Sequence, residues 1–230
     1  MVLRDLLIEI FRMGPENLIF KGGTALSFFY GSGRFSEDID FSSTNIDDYA
    51  VIDSALESFG NRYNYKIVND WENEIEQSSN KFRRYFLSIK GSFDHNIETR
   101  IDYSIGRCEL GPVKEYLSNE YYALKVDVMR LEEILAEKVR TLYTRQKGRD
   151  LYDIHYLSVV KRVAVPKSLI FDKFKEDSTL KGTKYSFKSF EAKIENLRPL
   201  WNDLEGIVSN FKSLSFDTVK EGVLASFRNV

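Results

Sequence analysis

The first half of the chain mixes helical and strand-like spacing of its hydrophobic residues. Apolar residues recur every three or four positions in some segments, which is typical of an amphipathic helix, and at every second position in others, which is typical of a half-buried strand. Breaks such as Gly14-Pro15 separate these segments. The pattern predicts helices over residues 2–13, 24–30 and 47–59, and strands over 17–21, 38–42, 63–68, 82–90 and 97–105.

The second half of the chain is mostly helical in its hydrophobic pattern. Regular spacing is lost around residues 106–118, and helices are predicted over 130–145 and 150–160. We therefore predict an α+β fold in which residues 1–118 form an N-terminal lobe with a mixed β-sheet flanked by helices. Residues 119–230 are predicted to form a mostly helical C-terminal lobe.

The composition is that of a globular protein. The 230 residues are 43% hydrophobic and 30% charged, with a formal net charge of −2, which excludes a wholly disordered chain. No apolar run approaches the roughly 20 residues of a membrane-spanning helix, so we expect a cytoplasmic protein without a membrane partner. The single cysteine, Cys108, excludes an internal disulfide bond and offers no zinc site.

Charge is distributed unevenly along the chain. Residues 1–119 carry an excess of six acidic side chains, whereas residues 120–230 carry an excess of four basic ones. From Lys138 to Arg149 there are five cations and no acid. An acidic lobe joined to a basic one suits metal chemistry beside an anionic substrate. Helices with solvated lysine faces give the same pattern, so that alternative stays open.

A glycine turn marks the first candidate site. The predicted strand 17–21 runs into Gly22-Gly23, where missing side chains let a ligand approach the backbone, and Thr24 opens the next predicted helix. The free N–H groups and the dipole at such a helix N-terminus favour phosphate. Gly22, Gly23 and Thr24 are therefore candidate phosphate-binding residues, although an ordinary N-cap at Thr24 has the same signature.

Three aspartates are candidates for metal chemistry. Residues two apart in a strand share a face, so Asp38 and Asp40 project together while the residue between them enters the core. Asp102 interrupts an apolar strand in the same way, and if the two strands are neighbours, the three carboxylates form a cluster able to hold two Mg²⁺ ions. A solvated turn explains a lone pair of acids, and an ion pair with Arg100 is the alternative for Asp102.

A lysine on the apolar side of a helix is the next candidate. Lys138 lies near the middle of the apolar stripe of helix 130–145, where an unpaired ammonium group is costly, and Asp150 and Asp153 share a face of the following helix. Lys138 is either a ligand for nucleotide phosphates, with the two aspartates positioning it or contacting the nucleotide, or part of a structural ion pair. Arg34 and Ser36, just before the acid pair, either contact phosphates or hold the loop.

Four of these elements occur in the order found in a known family. The stretches GGTAL, GRFSEDIDF, EEILAEKVRTLYTR and RDLYDIHYL resemble the AbiEii/AbiGii-type nucleotidyltransferase toxins of the DNA polymerase β-like nucleotidyltransferase superfamily, over about residues 17–160. The resemblance implies an N-terminal nucleotidyltransferase lobe and a C-terminal helical lobe that completes the active-site cleft. The family motifs would fall on Gly22 and Gly23, on Asp38 and Asp40, on Asp102, on Lys138, and on Arg149 with Asp150 and Asp153.

The resemblance also implies a reaction. Members use Mg²⁺ and a nucleoside triphosphate (NTP) to move a nucleoside monophosphate (NMP) onto a hydroxyl group, with Asp38, Asp40, Asp102 and Lys138 as the implied catalytic residues here. The acceptor is typically the 3′ end of tRNA, which makes the enzyme a toxin of an abortive-infection or toxin–antitoxin system. The antitoxin is usually a separately encoded winged-helix protein. The alternatives are transfer to a small molecule or a protein, and a non-catalytic domain that binds nucleotide or nucleic acid.

Overall fold

The structure, a computed structural model, describes residues 2–45, 48–63, 66–68, 82–90, 96–106 and 108–228. Residues 47, 64 and 65, at the edges of the predicted helix 47–59 and strand 63–68, lie outside the described residues. The predicted α+β class is confirmed. The chain divides into two compact units, the first formed by Met1–Tyr30 and Ser36–Met129, and the second by Gly31–Phe35 and Arg130–Val230.

The first unit is built on a mixed seven-stranded sheet. Its elements are α1 (Val2–Arg12), β1 (Ile19–Lys21), α2 (Gly22–Tyr30), β2 (Ile39–Ser43), α3 (Asp48–Tyr63), β3 (Lys66–Val68), β4 (Phe82–Lys90), β5 (Ile97–Ile105), β6 (Val113–Ser118) and β7 (Ala123–Val128). The strand order is β3-β4-β5-β2-β1-β7-β6. β1 and β7 are parallel neighbours, as are β2 and β5, and the other neighbouring pairs are antiparallel.

Alternation along β2 and β5 buries one face of this sheet. The fully buried residues of these two strands are Ile39, Phe41, Ile101 and Tyr103. α1 and α3 contribute to the same core, since the ring of Phe11 lies 5.9 Å from that of Phe41, and the ring of Tyr49 lies 4.4 Å from that of Tyr103. Burial of each such side chain contributes about 1.5–3 kcal/mol. The residues between them in sequence therefore project from the opposite face.

Two strands near the predicted lobe boundary were missed by the sequence analysis. β6 pairs with β7, and β7 also pairs with β1, so the sheet continues to Val128. The first unit accordingly ends at Met129 and not at residue 118. β6 is an edge strand whose Tyr116 is 68% exposed, so it lacks the apolar run by which a buried strand is recognised.

The second unit is mostly helical, as predicted. Its helices are α4 (Leu131–Thr144), α5 (Gly148–His155), a π-helical turn (Tyr156–Val160), α6 (Lys167–Glu176), α7 (Phe187–Glu195) and α8 (Phe216–Phe227), with short 3₁₀ turns at Ser178–Leu180, Arg198–Leu200, Asn202–Leu204 and Phe211–Ser213. None of the described helices of the chain is long and apolar enough to cross a membrane.

The segment Gly31–Phe35 belongs to this second unit, although sequence analysis assigned it to the first lobe. The N–H of Phe35 donates to the carbonyl of Ile207 at 2.7 Å, and the N–H of Ser209 donates to the carbonyl of Gly33 at 3.0 Å. A β-bridge joins Arg34 to Val208 between these two bonds. Partners so distant in sequence leave no local pattern from which this assignment could be predicted.

Candidate active site

A row of charged residues crosses the polar face of the sheet in the first unit. Lys21 on β1 lies opposite Asp40 on β2. Asp40 lies beside Asp102 on β5, which in turn lies opposite Arg84 on β4. Residues paired in this way project from the same face of a sheet. Two neighbouring carboxylates are therefore flanked by one cation on each side.

Arg84 and Arg100 engage the carboxylates of this face. Nε and Nη2 of Arg84 donate to the two carboxylate oxygens of Asp102 at 2.8 and 3.0 Å. Nη2 of Arg100 donates to Oδ2 of Asp38 at 2.7 Å. Nε of Arg100 lies 3.2 Å from Oδ1 of Asp102, but it is buried and donates no well-aligned hydrogen bond. The ion pair with Arg100, left open for Asp102 by the sequence, is thus present.

The glycine turn lies directly against Asp40. Gly22 has a φ of +75°, in the left-handed region, and a Cβ atom added to it would lie 2.2 Å from Oδ2 and 2.8 Å from Cγ of Asp40. Glycine is required here both by the backbone conformation and by the close approach of the carboxylate. The N-terminus of α2 and the Asp40 side chain consequently meet at one place.

Two threonines anchor the chain just before β2. α2 begins at Gly22 and not at Thr24, and Gly23 and Thr24 are buried. The Thr24 hydroxyl donates to the main-chain carbonyl of Asp38, so it bonds to the acidic segment and is not the ordinary N-cap that the sequence left open as the alternative. The Thr99 hydroxyl donates to the carbonyl of Glu37 at 2.6 Å. These bonds hold the backbone of Asp38 in place, and Ser36, two residues earlier, is half-buried.

Two carboxylates of the polar face, those of Asp38 and Asp102, form ion pairs with arginines. Within the described residues, no three His, Cys, Asp or Glu side chains are grouped so that they could hold a metal ion. Arg100 pairs with both Asp38 and Asp102, which are two of the three acids expected from the sequence to share two metal ions. Asp38 and Asp40 alone still suit Mg²⁺, which proteins commonly hold by one or two carboxylates together with substrate phosphates.

Lys138 lies in a chain of ion pairs in the second unit, all of whose members are buried except Arg145, which is 40% exposed. Its ammonium group is 2.7 Å from Asp153 and 3.1 Å from Asp150. Arg145 donates two hydrogen bonds to Asp150, both at 2.8 Å. Arg34 donates two to Asp153, at 2.9 and 3.0 Å. The structural ion pair that the sequence left open for Lys138 is therefore present, and Arg34 holds the loop Gly31–Phe35 to α5.

Mutual pairing keeps these buried groups ionised. Burial by itself would lower the pKa of Lys138, but the carboxylates of Asp153 and Asp150 outweigh that effect and the pKa is raised. Burial would raise the pKa of Asp153, yet Lys138 and Arg34 hold it below its usual value. The pKa of Asp150 is likewise lowered, by Lys138 and Arg145 against burial. Each charge in this chain of ion pairs thus depends on its neighbours.

Comparison with known families identifies the protein class. The family described as "Nucleotidyl transferase AbiEii toxin, Type IV TA system" matches residues 10–221, which is most of the chain. The chain belongs to the AbiEii nucleotidyl transferase toxin family. The resemblance found in the sequence is confirmed, and the AbiEii-family protein is a nucleotidyltransferase toxin of a type IV toxin–antitoxin system. Its family implies an NTP substrate and an antitoxin partner.

Solved structures share the fold of this AbiEii-family protein. JHP933 from Helicobacter pylori superposes with a TM-score of 0.59 at 18% identity, covering 98% of this chain and 87% of that chain. The nucleotidyltransferase toxin MenT4 from Mycobacterium tuberculosis H37Rv gives a TM-score of 0.54 at 14% identity, covering 97% of this chain and 90% of that chain. At these identities the likeness establishes the fold. Among curated proteins none matches the chain significantly.

Two arginines of this AbiEii-family protein pair with candidate site residues but were not predicted from the sequence. Arg145 lies in the cationic stretch 138–149, so its charge was noted, but its partner Asp150 was not. Arg84 gave no signal, because its partner Asp102 lies 18 positions away on the next strand. Alternation along β4 places Arg84 on the polar face, but only the strand register shows which residue it meets there.

Proposed function

We propose that this AbiEii-family protein uses Mg²⁺ to transfer an NMP from an NTP to the 3′-terminal hydroxyl group of tRNA, releasing pyrophosphate. The observation that carries the proposal is the contact between the Gly22 turn and the carboxylate of Asp40. It brings a helix N-terminus, which favours phosphate, next to a carboxylate that suits Mg²⁺. Asp38 lies two residues before Asp40 and supplies a second carboxylate.

The proposal gives each residue of this face a role. Backbone N–H groups of Gly22 and Gly23 receive the triphosphate at the N-terminus of α2. Asp38 and Asp40 would hold Mg²⁺, which would supply positive charge that stabilises the transferred phosphoryl group. Asp102, expected from the sequence as a third ligand, is bonded to Arg84 and is not used as a ligand in this proposal.

The transfer step forms one bond and breaks one. The oxygen of the acceptor hydroxyl group bonds to the α-phosphorus while the bond from that phosphorus to the oxygen bridging to the β-phosphate breaks. Pyrophosphate leaves, and the hydroxyl proton is released to water. Because little covalent chemistry falls to the protein in phosphoryl transfer, positioning of the two substrates is its main contribution.

An RNA acceptor is supported by charge. Residues 120–230 carry four more cations than acids. Within 138–149, Lys138, Arg140 and Arg145 are held in ion pairs, so the attraction for the phosphate backbone of a nucleic acid comes from the overall excess of cations and not from these three residues. The family resemblance points to the 3′ end of tRNA and to an antitoxin encoded as a separate protein.

Direct nucleotide binding by residues of the second unit stays a prediction. Lys138, Asp150, Asp153 and Arg34 are engaged in ion pairs with one another or with Arg145. These contacts favour a structural role, because a buried ion pair that loses one partner leaves a costly uncompensated charge. Ser36 stays a candidate for contact with phosphates.

Labelling experiments test the proposal. The purified protein is incubated with Mg²⁺, total RNA and each of the four NTPs labelled at the α-phosphate. We expect label in tRNA-sized RNA with at least one NTP, and no label with the Asp40→Ala variant. Asp40→Ala should keep the circular dichroism spectrum of the wild type, because removing Asp40 relieves repulsion with Asp102. Asp53→Ala, which removes a partly exposed acid on α3, is the matched control and should stay active.

Other outcomes of this labelling select the alternatives. Label in protein or in a small molecule, and none in RNA, would make the enzyme a transferase for another acceptor. Full activity of Asp40→Ala would contradict the assigned site. Binding of NTP without any transfer would favour a non-catalytic nucleotide-binding domain.

A further inference from the structure

We propose that Asp102 is a positioning residue that holds Arg84 and Arg100 on the polar face, and that these two arginines bind the triphosphate of the nucleotide. The inference rests on the proposed function, because it concerns the same site as Asp38 and Asp40. It assigns substrate-binding roles to two arginines that neither the sequence motifs nor the family description includes, and it removes Asp102 from the metal ligands.

The contacts of Asp102 are those of an anchor. Both of its carboxylate oxygens accept hydrogen bonds from Arg84 in a bidentate arrangement, and Oδ1 also lies 3.2 Å from Nε of Arg100. Bidentate pairs between arginine and carboxylate are among the strongest and most directional hydrogen-bonded contacts in proteins. The side chain of Asp102 is only 14% exposed, so a metal ion could use its oxygens only after displacing a guanidinium group.

Arg100 is placed where phosphate oxygens are expected. It bonds to Asp38, one of the two proposed Mg²⁺ ligands, and its side chain is 26% exposed. A guanidinium group carries five N–H donors in a planar fork that suits phosphate. Once Asp38 is bound to a cation, Arg100 loses part of its pairing and becomes available to a nearby anion.

The local charge balance around Asp40 supports this role. Here Asp38, Asp40 and Asp102 lie beside Lys21, Arg84 and Arg100, which makes three acids against three cations. A triphosphate brings about four negative charges, more than the two positive charges of one Mg²⁺ ion. Arginines fixed beside the carboxylates supply the remaining positive charge without having to be reoriented during the reaction.

A double variant that leaves the net charge unchanged tests whether Asp102 holds the arginines in position or binds the metal ion. R84Q/D102N removes one cation and one acid, so the net charge of the face is unchanged. R100Q removes only the cation between Asp38 and Asp102, and R100K is its conservative counterpart. R83Q/D53N is the matched control, because Arg83 adjoins Arg84 in sequence but projects from the opposite face, where it pairs with Asp53 at 3.2 Å.

Two binding measurements on the full chain test the proposal. Mn²⁺ alone is titrated and followed by electron paramagnetic resonance, and inorganic tripolyphosphate with Mg²⁺ is titrated by calorimetry. R84Q/D102N should keep its Mn²⁺ affinity within about threefold of wild type, and its tripolyphosphate affinity should fall about tenfold or more, since hydrogen bonds to charged groups are lost. R100Q should show the same loss of tripolyphosphate affinity, and R100K should show a smaller loss. The R83Q/D53N control should keep both its Mn²⁺ affinity and its tripolyphosphate affinity.

Two results would overturn the inference. Loss of Mn²⁺ binding in R84Q/D102N as large as in Asp40→Asn would make Asp102 a metal ligand. Unchanged tripolyphosphate affinity in both R84Q/D102N and R100Q would leave the arginines a purely structural role. R100Q alters one partly exposed side chain, so it tests the phosphate role even if the double variant folds poorly. Neither measurement involves transfer, so absent RNA labelling beside the expected binding pattern would reject only the proposed function.

Discussion

The polar face of the first unit and the buried ion pairs of the second unit join the same residue types but differ in exposure. The side chains of Asp102 and Arg84 are 14% and 29% exposed, whereas Asp150 and Asp153 are fully buried and Lys138 is 9% exposed. An ion pair reached by water contributes about 1 kcal/mol or less, whereas removing one partner of a buried pair costs about 3–5 kcal/mol. The first cluster is within reach of solvent and of an incoming ligand, whereas the second is suited to hold structure.

This difference in exposure distinguishes two charged residues, Asp102 and Lys138, that had similar surroundings in the sequence. Asp102 in an apolar strand and Lys138 in an apolar helical stripe both placed a charge among hydrophobic residues. Both prove to be paired, so pairing by itself does not tell function from structure. Accessibility to water and to an incoming anion does tell function from structure. It favours the polar face as the site of nucleotide transfer.

The largest change in stability is expected for Lys138→Gln. The substitution removes the shared partner of Asp150 and Asp153 while both carboxylates stay buried, so the free energy of unfolding should fall by about 3 kcal/mol. Urea denaturation at pH 7 measures this. Lys188→Gln, at an exposed position on α7, is the control and should change stability by less than about 0.5 kcal/mol. Equal effects of the two substitutions would show that Lys138 is not structurally required.

Gly22→Ala is expected to affect both stability and activity. The positive φ of +75° costs an alanine about 1–2 kcal/mol, and the added Cβ would displace the Asp40 carboxylate. Because small misplacements of catalytic groups can reduce rates about 100-fold, NMP transfer should fall by a similar factor. Gly14→Ala is the matched control, because Gly14 has the same φ with no atom within 4 Å of the added Cβ. Similar transfer rates in the two variants would contradict the close contact with Asp40.

Acidification should weaken the second unit through its lowered pKa values. Asp150 and Asp153 have folded-state pKa values below their unfolded value of about 3.9. Their contribution to stability is therefore present above that value and is lost as pH falls through the lower folded pKa values. Denaturation between pH 7 and 3 should show the free energy of unfolding falling below about pH 5, by up to about 1.4 kcal/mol per pH unit for each group. Asp150→Asn should reduce this slope, and an unchanged slope would contradict the assignment.

The smallest change in stability is expected for Arg84→Gln. Its ion pair with Asp102 is partly exposed, so the free energy of unfolding should fall by about 1 kcal/mol or less. Measurement under the conditions used for Lys138→Gln tests the contrast directly. A loss equal to that of Lys138→Gln would mean that the polar face is also held by costly buried pairs.

Local patterns were sufficient for the central part of the fold. The strands that carry Asp40 and Asp102 were predicted because apolar and polar residues alternate within each strand, and burial of Ile39 and Ile101 agrees with that alternation. The edge strand β6 was missed because its residues are largely exposed. The segment Gly31–Phe35 was assigned to the wrong unit because its bonding partners lie near residue 208.

The sequence by itself determined the family, the α+β class, and the identity of the glycine turn and its acids, because each depends on residue types at short, readable spacings. Only the tertiary structure decided that Arg84 meets Asp102 across two strands, and that Arg34 meets Asp153 at a separation of 119 positions. Strand register and helix packing set such pairs, and both follow from burial summed over the whole core. A short stretch of sequence does not show how much area the whole core buries. The ion-pair partner of each charged residue could therefore not be predicted from its neighbours along the chain.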